Sequence, residues 1–366
     1  MNLHKTSWLL ALLLACGLYS CEDEGVDLTE IPYNPVAFEF DVPEDYPILE
    51  IPADNPVTVD GVELGRHLFF DPLLSLDSTV SCSTCHLQAG GFTDNLAKSL
   101  GFENQLSNRS SMSLVDIAFS QNGLFWDGRS DNLEDQALDP VEDPVEQNHQ
   151  WPSVEVLLQN HPSYPEMFRR AFGIETSLEI DRDLAVKAIA QFERTIITTG
   201  SSKYDRVLAN QDVFSDDFNN NEQLGFEIYF DRVTDVPDGQ CFHCHGGPLL
   251  TDNEFRNNGL DSVGTLEEFI DKGQGGVTGI SNRNGLFRTP TLRNIAVTAP
   301  YMHDGRFQTL EEVMDHYISG GHPAPNIDPL IDSIALNEIE KAAVIAFLKT
   351  LTDEELLSDP AFSNPN

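Results

Sequence analysis

Helical rhythm recurs along the chain. In RDLAVKAIAQFERTIITTG (182–200), Leu184, Ala188, Ile189, Phe192 and Ile196 fall at three- and four-residue intervals, with Gly200 as the stop. TLEEVMDHYISGG places Thr309 three residues before Glu312 and ends on Gly320. NEIEKAAVIAFLKTL places Asn337 three residues before Glu340. Both are capping-box starts, and the glycine is a helix stop. Clusters of Gly, Pro and Asn interrupt the rest. SDDFNNNEQ (215–223) is expected to link two units. The pattern predicts a mainly α protein.

The N-terminus follows another rule. MNLHK is followed by the apolar WLLALLLACGLY, shorter than the roughly 20 residues a membrane span needs. The stretch ends in LYSC and an acidic EDE, which resembles a lipoprotein signal over residues 1–21 with Cys21 lipidated; Cys16 is the competing site. Residues 22–46 are acidic and proline-containing, as expected of a tether. Across 366 residues, 21 Lys and Arg stand against 60 Asp and Glu, a formal charge of −39. That argues against nucleic-acid binding, which needs a basic face, and suits a cationic protein partner.

Apart from Cys16 and Cys21, the cysteines are Cys82, Cys85, Cys241 and Cys244, in CSTCH and CFHCH. The spacing fits covalent c-type haem: two thiols add to the vinyl groups of one porphyrin, and the adjacent His86 or His245 binds iron. A Cys₄ zinc site would require the distant pairs to meet and leaves both histidines unexplained. A dithiol redox site needs one pair and no trailing histidine. His243 reads as a spacer. The surroundings repeat as well: LGRHLFFD precedes the first motif and LGFEIYFD the second, while FTDN and LTDN follow. A duplicated unit is expected, in which a short helix feeds a haem loop.

With CSTCH, LFWDGRSDNLEDQALDPVEDPVE, CFHCH and RTPTLRNIAVTAPYMHDGRFQTLEEVMDHYISGG, the chain resembles the bacterial dihaem cytochrome c peroxidases over about residues 47–352. That superfamily includes the methylamine-utilisation enzyme MauG. The resemblance implies two mostly α, cytochrome c-like domains. A peroxidatic domain is expected over 47–214 and an electron-transfer domain over 215–366. It implies hydrogen peroxide as substrate, a small c-type cytochrome or cupredoxin as donor, a periplasmic or cell-envelope location, and a homodimer.

The resemblance also assigns residues. Glu146 is the acid–base group and Gln136 the distal glutamine, with Glu142 and Glu134 as bystanders. Trp126 lies between the haems, Arg129 pairs with a propionate, and His303 sits at a haem edge. Many relatives carry a histidine in the loop after the first motif, but here KSLGFENQLSNRSS has no His and no Met. The first haem is therefore expected to be five-coordinate. Lys98, His149 and His161 are the alternatives that would fold over it, Lys98 only after losing a proton. On the second iron Tyr317 is expected, sharing a helix face with Leu310, Val313 and Met314; Met302 and Met314 are its rivals. A calcium ion is expected near Thr298 and Pro300, although Ser110 stands where the family has an Asn and Asn108 is the substitute. Besides a peroxidase, a MauG-like oxidase and a non-catalytic electron carrier remain open.

Overall fold

The computed structural model describes residues 25–209 and 217–365. The expected signal, with Cys16 and Cys21, and the first two residues of the expected link, Ser215 and Asp216, lie outside the described residues. The α-helices run α1 Val59–Phe70, α2 Cys82–Cys85, α3 Leu133–Glu142, α4 Trp151–Gln159, α5 Tyr164–Phe172 and α6 Arg182–Glu193. They continue as α7 Lys203–Ala209, α8 Asn220–Phe230, α9 Gln274–Thr278, α10 Leu310–Ser319, α11 Glu338–Lys349 and α12 Glu354–Ser358. Among the described residues the sheet is one antiparallel pair, β1 Phe255–Arg256 with β2 Phe287–Arg288. No helix there is long and apolar enough to cross a membrane.

Two cores organise the chain. The first gathers Leu64 and Leu68 of α1, Val141 of α3, Trp151 and Leu158 of α4, Phe168 of α5, and Ala188 and Ile189 of α6. The second gathers Phe226 and Tyr229 of α8, Met314 of α10, and Val344 and Phe347 of α11. The sequence repeat appears here as a repeated helix crossing. A Cβ on Gly65 would lie 1.9 Å from Ala188 O and 3.0 Å from Phe192 Cβ. A Cβ on Gly225 would lie 2.0 Å from Ala343 O and 2.8 Å from Phe347 Cβ. Each feeding helix carries a glycine where a partner backbone crosses it. The partners also match: AIAQF in α6 and AVIAF in α11 supply the same Ala and Phe.

The expected helix starts are in place. Thr309 and Asn337 cap α10 and α11 in full capping boxes, and Gly320 ends α10 at φ 81°. Other boundaries differ. Helix α6 stops at Glu193 rather than running to Gly200, because Thr195 Oγ1 bonds back to Phe192 O at 2.7 Å and diverts the backbone. Asn219, expected in a link, caps α8 with its side chain, so Asn220–Gln223 form its first turn. Of the expected tether, residues 25–46 are mostly exposed but anchored at several points. Leu28 is buried in the first core, Asp27 and Ala37 pair with Thr176 and Thr58, and Arg169 lies over the Tyr33 ring. Enough apolar side chains punctuate the acidic run to anchor it.

The halves also exchange segments. Tyr204 and Val207 of α7 join the second core. Leu356 and Phe362 return to the first half, against Phe92 and Phe192. Short amphipathic pieces bury where a complementary face exists, which chain position does not reveal.

Candidate active site and haem cavities

Each C-x-x-C-H loop opens onto its own cavity. The first, about 840 Å³, is lined by Cys82, Cys85 and His86 together with Gln136, Glu146, Glu193, Trp126 and Arg129. Its size falls within the roughly 300–1,000 Å³ usual for ligand sites. The second is lined by Cys241, Cys244 and His245 together with Met302, Met314 and Tyr317.

Haem fits both donor sets. All four cysteines are free. Burial pushes their thiols up, Cys85 and Cys241 to about 12 and Cys244 to about 11, so none is a poised thiolate. The pairs are not brought together: among the described residues no three or more His, Cys, Asp or Glu stand in position to hold a metal ion. Each histidine is oriented through Nδ1, His86 by Phe92 O at 2.9 Å and His245 by Leu250 O at 3.2 Å and Pro290 O at 3.1 Å. A carbonyl on Nδ1 fixes the tautomer and leaves Nε2 for a metal. Phe92 and Leu250 have φ of 59° and 51°; Asn95 and Asn253, closing the two TDN turns, have 58° and 57°. His243 is exposed, as a spacer should be.

Glu146 is held over the first cavity by a built turn. Pro140 cannot donate to Gln136 O, which weakens the end of α3. Asp143 precedes Pro144 and is extended. Its carboxylate accepts from Val145 N at 2.7 Å, and its carbonyl accepts from Glu146 N at 3.1 Å and Asn148 N at 2.8 Å. Burial raises the Glu146 carboxyl to about 7, helped by Asp143 and opposed by Arg129. Its bystanders are occupied or turned away. Glu134 is paired with Arg194 at 2.7 Å and Asn55 at 2.6 Å, and Glu142 is exposed.

The loop after the first motif is tied to this turn. Phe102 N donates to Val145 O at 3.0 Å and Glu146 O at 2.8 Å, and Gln105 Nε2 donates to Pro144 O at 3.2 Å. Gly101 packs on the same backbone, where a Cβ would lie 2.0 Å from Val145 O. Of the alternatives to an open face, Lys98 lines the cavity and is exposed. His149 is buried with Nδ1 on Gln150 N, and His161 stacks on Tyr164; neither lines the cavity.

Trp126 lines both cavities. It sits on a hairpin closed by Leu124 and Ser130, and its Nε1 donates to Ser110 O at 2.9 Å. Ser110 lines both cavities too. Its N–H donates to His303 O and its hydroxyl to Met302 O, both at 2.9 Å. His303 is buried and stacked on Phe287 at 3.5 Å, beside the second cavity. Arg129 lies over Phe125 and near Asp127 and Asp139 at 3.4 and 3.3 Å.

In the second cavity the expected α10 face is present: Leu310, Val313, Met314 and Tyr317 all line it. Asn258 Nδ2 lies 3.2 Å from the Tyr317 hydroxyl and 3.4 Å from Met302 Sδ, holding the two rivals together. Burial raises the phenol to about 12, while the Asn258 donor pulls it down.

The segment expected near calcium is tied to the first half. Asn95 Nδ2 donates to Val297 O and Ala299 O at 2.7 and 2.8 Å, on either side of Thr298. The Ser110 hydroxyl is already spent on carbonyls, and Asn108 lines the first cavity.

Sequence reading missed several wall residues. Glu193 and Gln147 are buried on the first cavity with Oε2 and Oε1 unpartnered. Arg109 bridges Asp127 at 2.6 Å and Asp271 at 2.7 Å, so a loop of the second half reaches the rim of the first cavity. Glu193 lies in the apolar stripe of α6, and its adjacency to the first motif arises only in the fold.

Comparison with known proteins agrees with this architecture. Residues 59–213 match the family model for di-haem cytochrome c peroxidase. The chain is 34% identical to methylamine utilization protein MauG of Methylorubrum extorquens, over 83% of this chain and 81% of that one. It is 32% identical to cytochrome c551 peroxidase of Nitrosomonas europaea, over 84% and 85%. Among solved structures, a MauG-like protein associated with microbial copper homeostasis superposes with a TM-score of 0.80 at 35% identity, covering 90% of this chain and 99% of that one. The repeated haem cavities and these similarities together place the chain in the di-haem cytochrome c peroxidase family.

Proposed function

We propose that the protein reduces hydrogen peroxide to water in the first cavity, with electrons that arrive through the second from a small c-type cytochrome or cupredoxin. The observation that carries this reading is Glu146: a half-buried carboxyl near neutrality, on the same cavity as His86, with no histidine or methionine in the neighbouring loop. Haem, when bound, would supply the redox-active iron for reducing peroxide. The protein supplies the rest. Cys82, Cys85 and His86 hold the first haem, and Cys241, Cys244 and His245 the second. Glu146 takes a proton from the bound peroxide and returns it to the departing oxygen, and Gln136 orients the peroxide by hydrogen bonding. Trp126 lies between the cavities as the electron path, and Arg129 faces a propionate. Tyr317 would ligate the second iron, and the Asn258 N–H favours its phenolate form. The units are two cytochrome c-like halves, with α7 belonging to the second and residues 354–362 to the first. A lipid anchor at Cys21 would hold the protein at the cell envelope.

A second reading is supported by Tyr317 and by the similarity to MauG and the MauG-like protein. On it, peroxide serves as the oxidant for a protein or organic substrate. The test is a peroxidase assay with reduced cytochrome c on parent and Glu146→Gln. Turnover that survives the substitution refutes the assignment of the base.

A further inference from the structure

The segment that sequence reading assigned to a tether ends in a chemically unusual contact. Tyr46 is partly exposed, yet its hydroxyl turns inward. It donates to Asp116 Oδ2 at 3.3 Å and makes a short hydrogen bond with Thr198 Oγ1. Asp116 is buried and also accepts from Thr198 N at 2.9 Å. The Tyr46 ring meets Phe119 edge-on at 5.5 Å, and the Arg293 guanidinium lies 5.6 Å from its centre. Asp116, Phe119 and Arg293 all line the second cavity. A phenol at the surface is thus joined to the cavity wall by an aromatic contact and a carboxylate.

We propose that Tyr46 is a redox-active side chain that carries oxidising equivalents from the second cavity to small electron-rich aromatics, such as phenols, at the surface. The inference rests on the peroxidase reading. One electron leaves the Tyr46 ring for the peroxide-oxidised haem pair, which is reduced by one equivalent. The phenolic proton passes to Asp116 Oδ2. The products are a neutral tyrosyl radical and a carboxylic acid. An external phenol then gives one electron to the radical and releases its own proton to solvent, while Asp116 returns the first proton to Tyr46. Two such cycles use the two oxidising equivalents of one peroxide. Burial raises the Asp116 carboxyl to about 6 against the pull of Arg293, so it is an ionised acceptor at neutral pH. Burial likewise raises the Tyr46 phenol, with Asp116 adding to the effect, so it keeps its proton until oxidised. Trp126 connects the two cavities, whereas Tyr46 connects the second to the outside.

The test is electron paramagnetic resonance of the holoprotein frozen after peroxide addition, with guaiacol oxidation measured alongside. A radical signal whose hyperfine structure collapses on ring-deuterated tyrosine, and which disappears in Tyr46→Phe together with guaiacol oxidation, supports the proposal. The isotope label leaves the fold untouched, and Phe keeps the ring packing on Phe119. A peroxide-induced change in the haem spectrum without a tyrosyl radical overturns the proposal while sparing the peroxidase reading. So does a radical and guaiacol turnover undiminished in Tyr46→Phe. A haem spectrum indifferent to peroxide overturns both.

Discussion

The two halves bring a histidine to a cavity in the same way and then diverge in the rest of the cavity wall. In both, a helix with a crossing glycine leads into a C-x-x-C-H loop, and the histidine is fixed by the carbonyl of a left-handed residue before a TDN turn. On the wall of the His86 cavity the chain places a polar turn carrying Glu146, held by Asp143 and tied to the loop at Phe102. On the wall of the His245 cavity it places the apolar face of α10, with Tyr317 and Met314, and Met302 close by. One wall carries a carboxyl raised to about 7, and the other a phenol and two thioethers.

The largest expected effect breaks this asymmetry at its polar end. Glu146→Gln keeps both haems and loses roughly 10²–10⁴-fold in peroxide turnover, the usual worth of a positioned acid–base group. Stopped-flow mixing with peroxide checks it, and a loss of less than about twofold would reassign the base.

The shared scaffold is tested by Gly65→Ala and Gly225→Ala. Each inserts a methyl where the partner carbonyl already stands within 2.0 Å of the ideal Cβ position. Overpacking of this kind costs about 1–3 kcal/mol or more. Chemical denaturation should show comparable losses for both, and an effect at one crossing alone would mean that the repeat is not a mechanical equivalence.

The pH profile sharpens the contrast further. A base must be deprotonated to act, and burial has raised Glu146 to about 7. The rate of reaction with peroxide should therefore fall about tenfold per pH unit below about 7 and level off above it. Glu146→Gln should flatten the acid limb; an unchanged limb in the variant points to another group.

Trp126→Phe is the mildest change. It removes the Nε1 bond to Ser110 O, worth about 1 kcal/mol, and leaves a ring between the cavities. Transfer between the haems should slow while thermal stability drops slightly, by rapid-mixing spectroscopy and calorimetry. Unaltered transfer removes Trp126 from the path.

Much of this was legible in the chain. Periodicity and capping boxes located α10 and α11, and the C-x-x-C-H spacing located both histidines, because these signals are local and chemical. The matched LGxxxxFD and TDN pieces announced the duplication, although the reason for the glycines appears only where α6 and α11 cross them. Positions that depend on long-range packing stayed hidden. The 22–46 run reads as a tether because it is acidic and proline-containing, yet Leu28 is buried in the first core and Tyr46 reaches Asp116. Glu193 looked like one more acid in a helix, and Arg109 gave no sign of reaching Asp271, 162 residues away.

The account depends most on the first cavity being open and the second closed. The direct measurement is the absorption and magnetic circular dichroism spectrum of the fully oxidised protein, followed by peroxide without prior reduction. The account predicts one five-coordinate high-spin haem, one six-coordinate low-spin haem, and an immediate spectral change. Two low-spin haems that respond to peroxide only after one-electron reduction would contradict it.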